Sequence, residues 1–117
     1  MSAKPAPFEE VETPQGRFII VTRHPRSGRE IEAFGGARRF RGKSVIDIGT
    51  GVGRLAFDVA RYARRVLGVD PHEDALALAW ERCHRERRTN VEFRFADART
   101  LEIGRARFDR AILSWSL

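Results

Sequence analysis

The stretch Val45-Ile46-Asp47-Ile48-Gly49-Thr50-Gly51-Val52-Gly53 decides the fold. Ser44 to Ile48 is a short apolar run of the kind that forms a buried strand. It passes directly into glycines at 49, 51 and 53. From Arg54 the period changes: Leu55, Val59 and Tyr62 follow helical spacing, with Ala56, Ala60 and Ala63 beside them, which predicts a helix over 54–64.

Working outward, Arg65 to Val69 reads as a second strand. Asp70-Pro71 is a helix start, an acidic N-cap followed by proline at the first helical position, with Glu73 and Asp74 in the first turn. That helix runs to about Glu86 and puts Leu76, Trp80 and Cys83 on one face. Val91 to Phe95 alternates as a third strand, and Phe108 to Leu113 makes a fourth. Strands alternating with helices predict an α/β fold, a parallel sheet with flanking helices. Twelve residues separate Phe95 from Phe108, room for a loop or single turn rather than a long helix. Upstream, residues 1–15 carry Pro5, Pro7 and Pro14 and read as a flexible lead-in. Arg17–Thr22 reads as a strand, 24–28 as a turn, and Arg29–Phe34 as its returning partner, a small β-hairpin. The expected division is lead-in 1–15, hairpin and linker 16–41, and a partial domain over 42–117.

Composition bounds the rest. The chain has 117 residues, 42% hydrophobic and 32% charged, proportions of a folded domain rather than a disordered one. No apolar run approaches the roughly 20 residues of a membrane span. The start has no apolar core, so no secretory signal is expected. Cys83 is the single cysteine, which excludes an intrachain disulfide and a cysteine-based metal cage and fits a cytoplasmic setting. The net charge is +6, and of 22 basic residues only Lys4 and Lys43 are lysine. Arginines cluster at 38, 39 and 41 and at 82, 85, 87 and 88. Solvated helix faces are the simpler reading of these clusters, and no specific motif supports nucleic-acid binding.

Glycines at the end of a strand permit a tight turn and let a ligand lie against the backbone, and in open parallel sheets ligands bind beyond the carboxyl ends of strands. Phosphate and dinucleotide sites use such loops too. Asp47, two residues before the first glycine, would repel a pyrophosphate and favour a cationic ligand. The third glycine also comes one residue earlier than G-x-G-x-x-G requires, with Arg54 at the expected place, and no Walker lysine follows. Asp70 ends the second strand, 23 residues after Asp47, where an acid accepts bonds from ribose hydroxyls. Asp97, in Ala96-Asp97-Ala98 after the third strand, could accept a bond from an adenine amine. A cationic amino-acid group, a ribose and an adenine would thus lie across three strand ends. Asp109 reads as a residue bordering the fourth strand. His24, His72 and His84 lack ligand spacing, so no metal site is expected.

From Val45 to about Trp115 the chain resembles the class I S-adenosylmethionine-dependent methyltransferases, with their Rossmann-like fold. Asp47 to Gly53 is similar to the family's glycine-rich first motif, Val69-Asp70-Pro71 to its ribose-binding acid, Ala96-Asp97-Ala98 to its adenine-binding position, and Phe108 to Trp115 to the fourth strand beside the methyl-transfer site. The resemblance implies S-adenosyl-L-methionine as cofactor, held by Asp47, Gly49, Thr50, Gly51, Gly53, Asp70, Pro71, Asp97 and Ala98. It implies methyl transfer by direct displacement to an acceptor, a small molecule before any other class. Three features depart from it. The chain stops after the fourth strand, which reads as truncation and leaves Ala111 to Leu117 as an apolar sheet edge unless the hairpin covers it. Ser114-Trp115-Ser116 stands where enzymes that methylate planar amino groups carry Asn/Asp-Pro-Pro-aromatic. No residue is named as catalytic base. The alternative is an inactive donor-binding fragment or basic interaction module. Acceptor and oligomeric state are not legible.

Overall fold

The computed structural model describes residues 8–13, 16–21, 31, 36–96 and 108–113, with the backbone alone described over 8–21. The apolar run beginning at Ser44 forms β3 (Ser44–Ile48), all five residues buried, as befits an inner strand covered on both faces. The first half of the following helical pattern forms α1 (Arg54–Ala60). Then come β4 (Arg65–Asp70), α2 (Glu73–Arg85), β5 (Val91–Phe95) and β6 (Arg110–Leu113). These four strands are parallel, in spatial order β6-β3-β4-β5. The α/β, Rossmann-like expectation holds for this unit.

The connections from β3 to β4 to β5 step in one direction. Right-handed crossovers taken in one direction lay their helices on the same face. Leu55, Phe57 and Val59 of α1 and Leu76, Ala79 and Cys83 of α2 accordingly share one core with Val45, Val66, Phe93 and Ile112 of the sheet. Ile46, Ile48, Val69 and Ala111 are buried on the opposite face. β6 then lies on the other side of β3. The strand order therefore reverses beside β3, and in such sheets the crevice at that reversal, past the carboxyl ends, is where ligands bind.

Two boundaries differ from expectation. α1 stops at Ala60, not at 64, because the next residues are drawn beneath β3: the Gly42 amide donates to Tyr62 O and the Arg64 amide to Lys43 O. Asn90 Nδ2 caps the freed end, donating to Ala60 O at 2.7 Å and to Ala63 O at 3.2 Å. The N-cap of α2 is His72, not Asp70. Asp70 is kept in β4 by pairing with Phe95 and by the Ala96 amide, which donates to its carbonyl.

Upstream, β1 (Phe8–Thr13) pairs antiparallel with β2 (Gly16–Val21), and β2 runs parallel to β6. β2 overlaps the stretch Arg17–Thr22 as far as Val21, and Thr22 lies outside the described residues. Its antiparallel neighbour comes from the stretch read as a flexible lead-in. The prolines behind that reading stand at 5, 7 and 14, outside the strand, so the ladder loses no donor. Arg29–Phe34 lies outside the described residues apart from Ile31, as do 97–107 and 114–117.

At the opposite end of the sheet Asp109 borders β6 as expected. Its Oδ2 accepts the Ser44 amide at 2.9 Å, and its own amide donates to Ser44 O at 2.7 Å. At the end of α2, Arg82 and Arg88 bond within the molecule, whereas Arg85 and Arg87 are exposed. Arg82 bonds Glu86 and lies 4.2 Å from the Phe57 ring centre. Arg88 donates to Phe57 O at 3.2 Å, and Arg85 approaches Glu81 at 3.9 Å. Cys83 is buried, donates its thiol toward Arg88 O and Val91 O, and has its pKa pushed up by burial.

Candidate functional site

The loop between β3 and α1 crosses the carboxyl ends of β3 and β4. Its first turn is fastened to β4: the amides of Gly49 and Thr50 donate to Val69 O at 2.9 and 3.0 Å. The Gly51 amide donates to Asp70 Oδ2 at 2.9 Å, and the Gly53 amide to Thr50 O at 2.9 Å. Gly49, Gly51 and Gly53 all have positive φ, between 59° and 85°. Four loop amides are therefore spent on protein acceptors. A phosphate-binding loop gathers such amides toward the ligand. This donor set does not do so, in keeping with the argument from Asp47 against a pyrophosphate.

Gly53 and Gly68 explain how the loop is seated. A Cβ on Gly53 would stand 2.6 Å from Phe93 Cζ; one on Gly68 would stand 2.7 Å from Phe93 Cδ1 and 2.7 Å from Thr50 Oγ1. Gly68 lies in register between Asp47 and Phe93. The missing side chain at 68 leaves room for the Phe93 ring to cross β4 and support the loop from below. That ring is buried and packed at 5.3 Å against Phe57 and edge-on at 6.0 Å to Trp80. Gly53 thus serves close packing of helix N-terminus on sheet. Neither Gly68 nor Phe93 was expected at the site from sequence. A glycine inside a strand pattern is the one signal that could have pointed to the close approach.

Asp70 is the hub. It is 3% exposed and accepts three bonds. Oδ2 takes the Gly51 amide; Oδ1 takes the His72 amide at 2.8 Å and His72 Nδ1 at 2.8 Å. Burial alone would raise its pKa. The amide bonds from His72 and Gly51, and then the imidazole, outweigh burial and hold the carboxyl below its ordinary 3.8. One side chain therefore ties the glycine loop to the turn entering α2.

The structure brings Gly49, Thr50, Gly51, Gly53 and Asp70 together in this bonded unit. Asp47, expected to face the ligand, is instead wholly buried in β3. The Thr50 hydroxyl is buried with no hydrogen-bond partner among the described atoms. Pro71 is exposed between Asp70 and His72. Asp97 and Ala98 lie outside the described residues. Among the described residues no cluster of His, Cys, Asp or Glu could hold a metal ion, and no helix is long and apolar enough to cross a membrane.

Residues 45–117 match the family described as methyltransferase domain. The chain is 41% identical over 56 residues to a probable S-adenosylmethionine-dependent methyltransferase of Saccharomyces cerevisiae, covering 48% of this chain and 19% of that protein. Among solved structures it is similar to coclaurine N-methyltransferase bound to N-methylheliamine and S-adenosylhomocysteine, with a TM-score of 0.56, 33% identity, and coverage of 65% of this chain and 23% of that one. It is also similar to an S-adenosylmethionine-dependent methyltransferase from Mesorhizobium loti, with a TM-score of 0.54, 28% identity, and coverage of 64% and 35%. The chain belongs to the class I S-adenosylmethionine-dependent methyltransferase domain family. It spans about a fifth of the length of its curated relative and covers part of the family's fold.

Proposed function

We propose that this chain binds S-adenosyl-L-methionine beyond the carboxyl ends of β3, β4 and β5 and serves as the donor-binding part of a methyltransferase acting on a small molecule. The observation that carries this reading is the bonded unit of Asp70 and the glycine loop at the place where the strand order reverses. Asp70 suits the donor's nucleoside end, offering a carboxylate acceptor to ribose hydroxyls, and Gly49, Thr50, Gly51 and Gly53 supply the backbone against which the donor lies. Asp47, buried in β3 just before the glycine loop, is the acid assigned to the donor's cationic amino-acid end. Asp97 and Ala98 complete the set at the adenine side, with Pro71 beside Asp70. When bound, the cofactor supplies a methyl group on a positively charged sulfur. The chain's own part is to orient that donor and keep it off the solvent side of the sheet, because close in-line placement accounts for much of such a rate enhancement. No described residue is assigned as a base.

Calorimetric titration of the full 117-residue chain with S-adenosyl-L-methionine tests this. Saturable binding is expected, weakened about ten- to a hundredfold in Asp70→Ala, the cost of losing bonds to an ionised acceptor. Undiminished binding in that variant counts against the assignment. The second reading is a donor-binding module without activity of its own, favoured by the small share of its relatives' length that the chain spans. Turnover of a radiolabelled methyl group by the isolated chain rules it out.

A further inference from the structure

The bonds around Asp70 leave a ribose too few places to attach. A carboxylate offers about four lone-pair positions. Three are filled, two on Oδ1 by the His72 amide and Nδ1, and one on Oδ2 by the Gly51 amide. A vicinal diol that donates both hydroxyls needs two. The two amides cannot leave cheaply, since one carries the glycine loop and the other shapes the turn into α2. The imidazole can. Its side chain is 77% exposed while that of Asp70 is 4% exposed, so the ring lies on the solvent side of the oxygen it bonds. It can swing into water at the cost of one hydrogen bond to the carboxylate.

We propose that His72 is a gate on Asp70: its imidazole holds the Oδ1 position that a ribose hydroxyl needs, and the nucleoside enters by displacing it. This rests on the reading of Asp70 as the ribose acceptor. Nδ1 carries the proton in the closed state, because the carboxylate can only accept. A diol therefore has to displace the imidazole, whereas a nucleoside donating a single hydroxyl can use the remaining position on Oδ2. A nucleoside with both hydroxyls replaces the imidazole's bond; one lacking the displacing hydroxyl leaves an acceptor to which the imidazole returns. His72 is thus a positioning residue that acts through Asp70 and costs affinity only for ligands carrying the displacing hydroxyl.

The test is calorimetry on the full chain with S-adenosylhomocysteine and with its 2′-deoxy and 3′-deoxy analogues. His72→Ala removes the ring; His72→Phe keeps a ring of similar bulk without the donor. Both variants are expected to bind S-adenosylhomocysteine about tenfold tighter than wild type or more, the worth of one hydrogen bond to an ionised acceptor. For at least one deoxy analogue the gain vanishes. Unchanged or weaker binding in both variants overturns the gate. An equal gain for all three ligands also overturns it, since that marks removal of a steric cover rather than of a competing donor. Asp70→Ala separates the two levels. If it loses binding while the His72 variants stay at wild-type affinity, the gate fails and the ribose reading stands. If it binds as tightly as wild type, both fail.

Discussion

Gly68 and Asp70 lie two residues apart on β4 and govern the site in different ways. At Gly68 the constraint is volume. The Phe93 ring and the Thr50 hydroxyl occupy the space a side chain would take, and the ring is itself wedged against Phe57 and Trp80. Gly68→Ala is therefore expected to destabilise the chain by about 1–3 kcal/mol, the usual cost of overpacking. Urea unfolding measures it, and adding Phe93→Leu should recover part of the loss through a coupling between the two positions. At Asp70 the constraint is charge. Its folded-state pKa lies below the ordinary 3.8, so the unfolded chain binds the proton more readily. The stability it contributes is fully present above the unfolded pKa and is lost as pH falls through the folded one. Wild type should thus be more stable than Asp70→Asn at neutral pH, and the difference should shrink as pH falls from about 5 to about 3. A constant difference across that range, followed by thermal unfolding, would show that the carboxylate's charge is not what holds the loop.

Among the elements, α2 shows how a helix closes without glycine. Arg87 takes φ 53° just past the helix end, the Arg88 amide donates to Cys83 O, and the Arg87 amide donates to His84 O. This is the Schellman pattern, which glycine fills at least cost. Arg87→Gly is expected to raise stability by about 0.5–1 kcal/mol, the relief of left-handed backbone less the entropy of a freer unfolded chain. A higher melting temperature checks it; an unchanged or lower one would mean that the arginine side chain contributes more than its backbone costs. β3 and α2 were legible because their signals are local: a short apolar run passing into glycines in one, and an acidic first turn with apolar spacing in the other. The end of α1 was not. Its apolar spacing continues to Tyr62, but the Gly42 amide and the Asn90 side chain claim the backbone there. Both reach α1 from distant parts of the chain, and neither leaves a mark on the helical pattern.

For the whole molecule, the parallel unit β6-β3-β4-β5 gathers groups that the chain keeps far apart. The Asp109 and Ser44 bonds close one end of the sheet across 65 residues, and the bond between Asp70 and the Gly51 amide closes the other. Between them, one apolar layer joins both helices to all four strands. The family assignment speaks for this unit, and the titration with Asp70→Ala decides whether the 117-residue chain uses it to bind the donor.

By itself the sequence determined the order of strands and helices from β3 to β6, the place of the glycine loop between β3 and α1, and the acid at the end of β4. Those features are written in local periodicity and in residue types with fixed backbone demands. The tertiary structure alone decided that Gly68 must be bare, that Phe93 props the loop, that Asp47 is buried, and that the His72 ring bonds the Asp70 carboxylate. Each of these is a contact in space, made by strand register and by a turn of the backbone. Register is set by the packing of the whole sheet, so no stretch of sequence taken alone contains it.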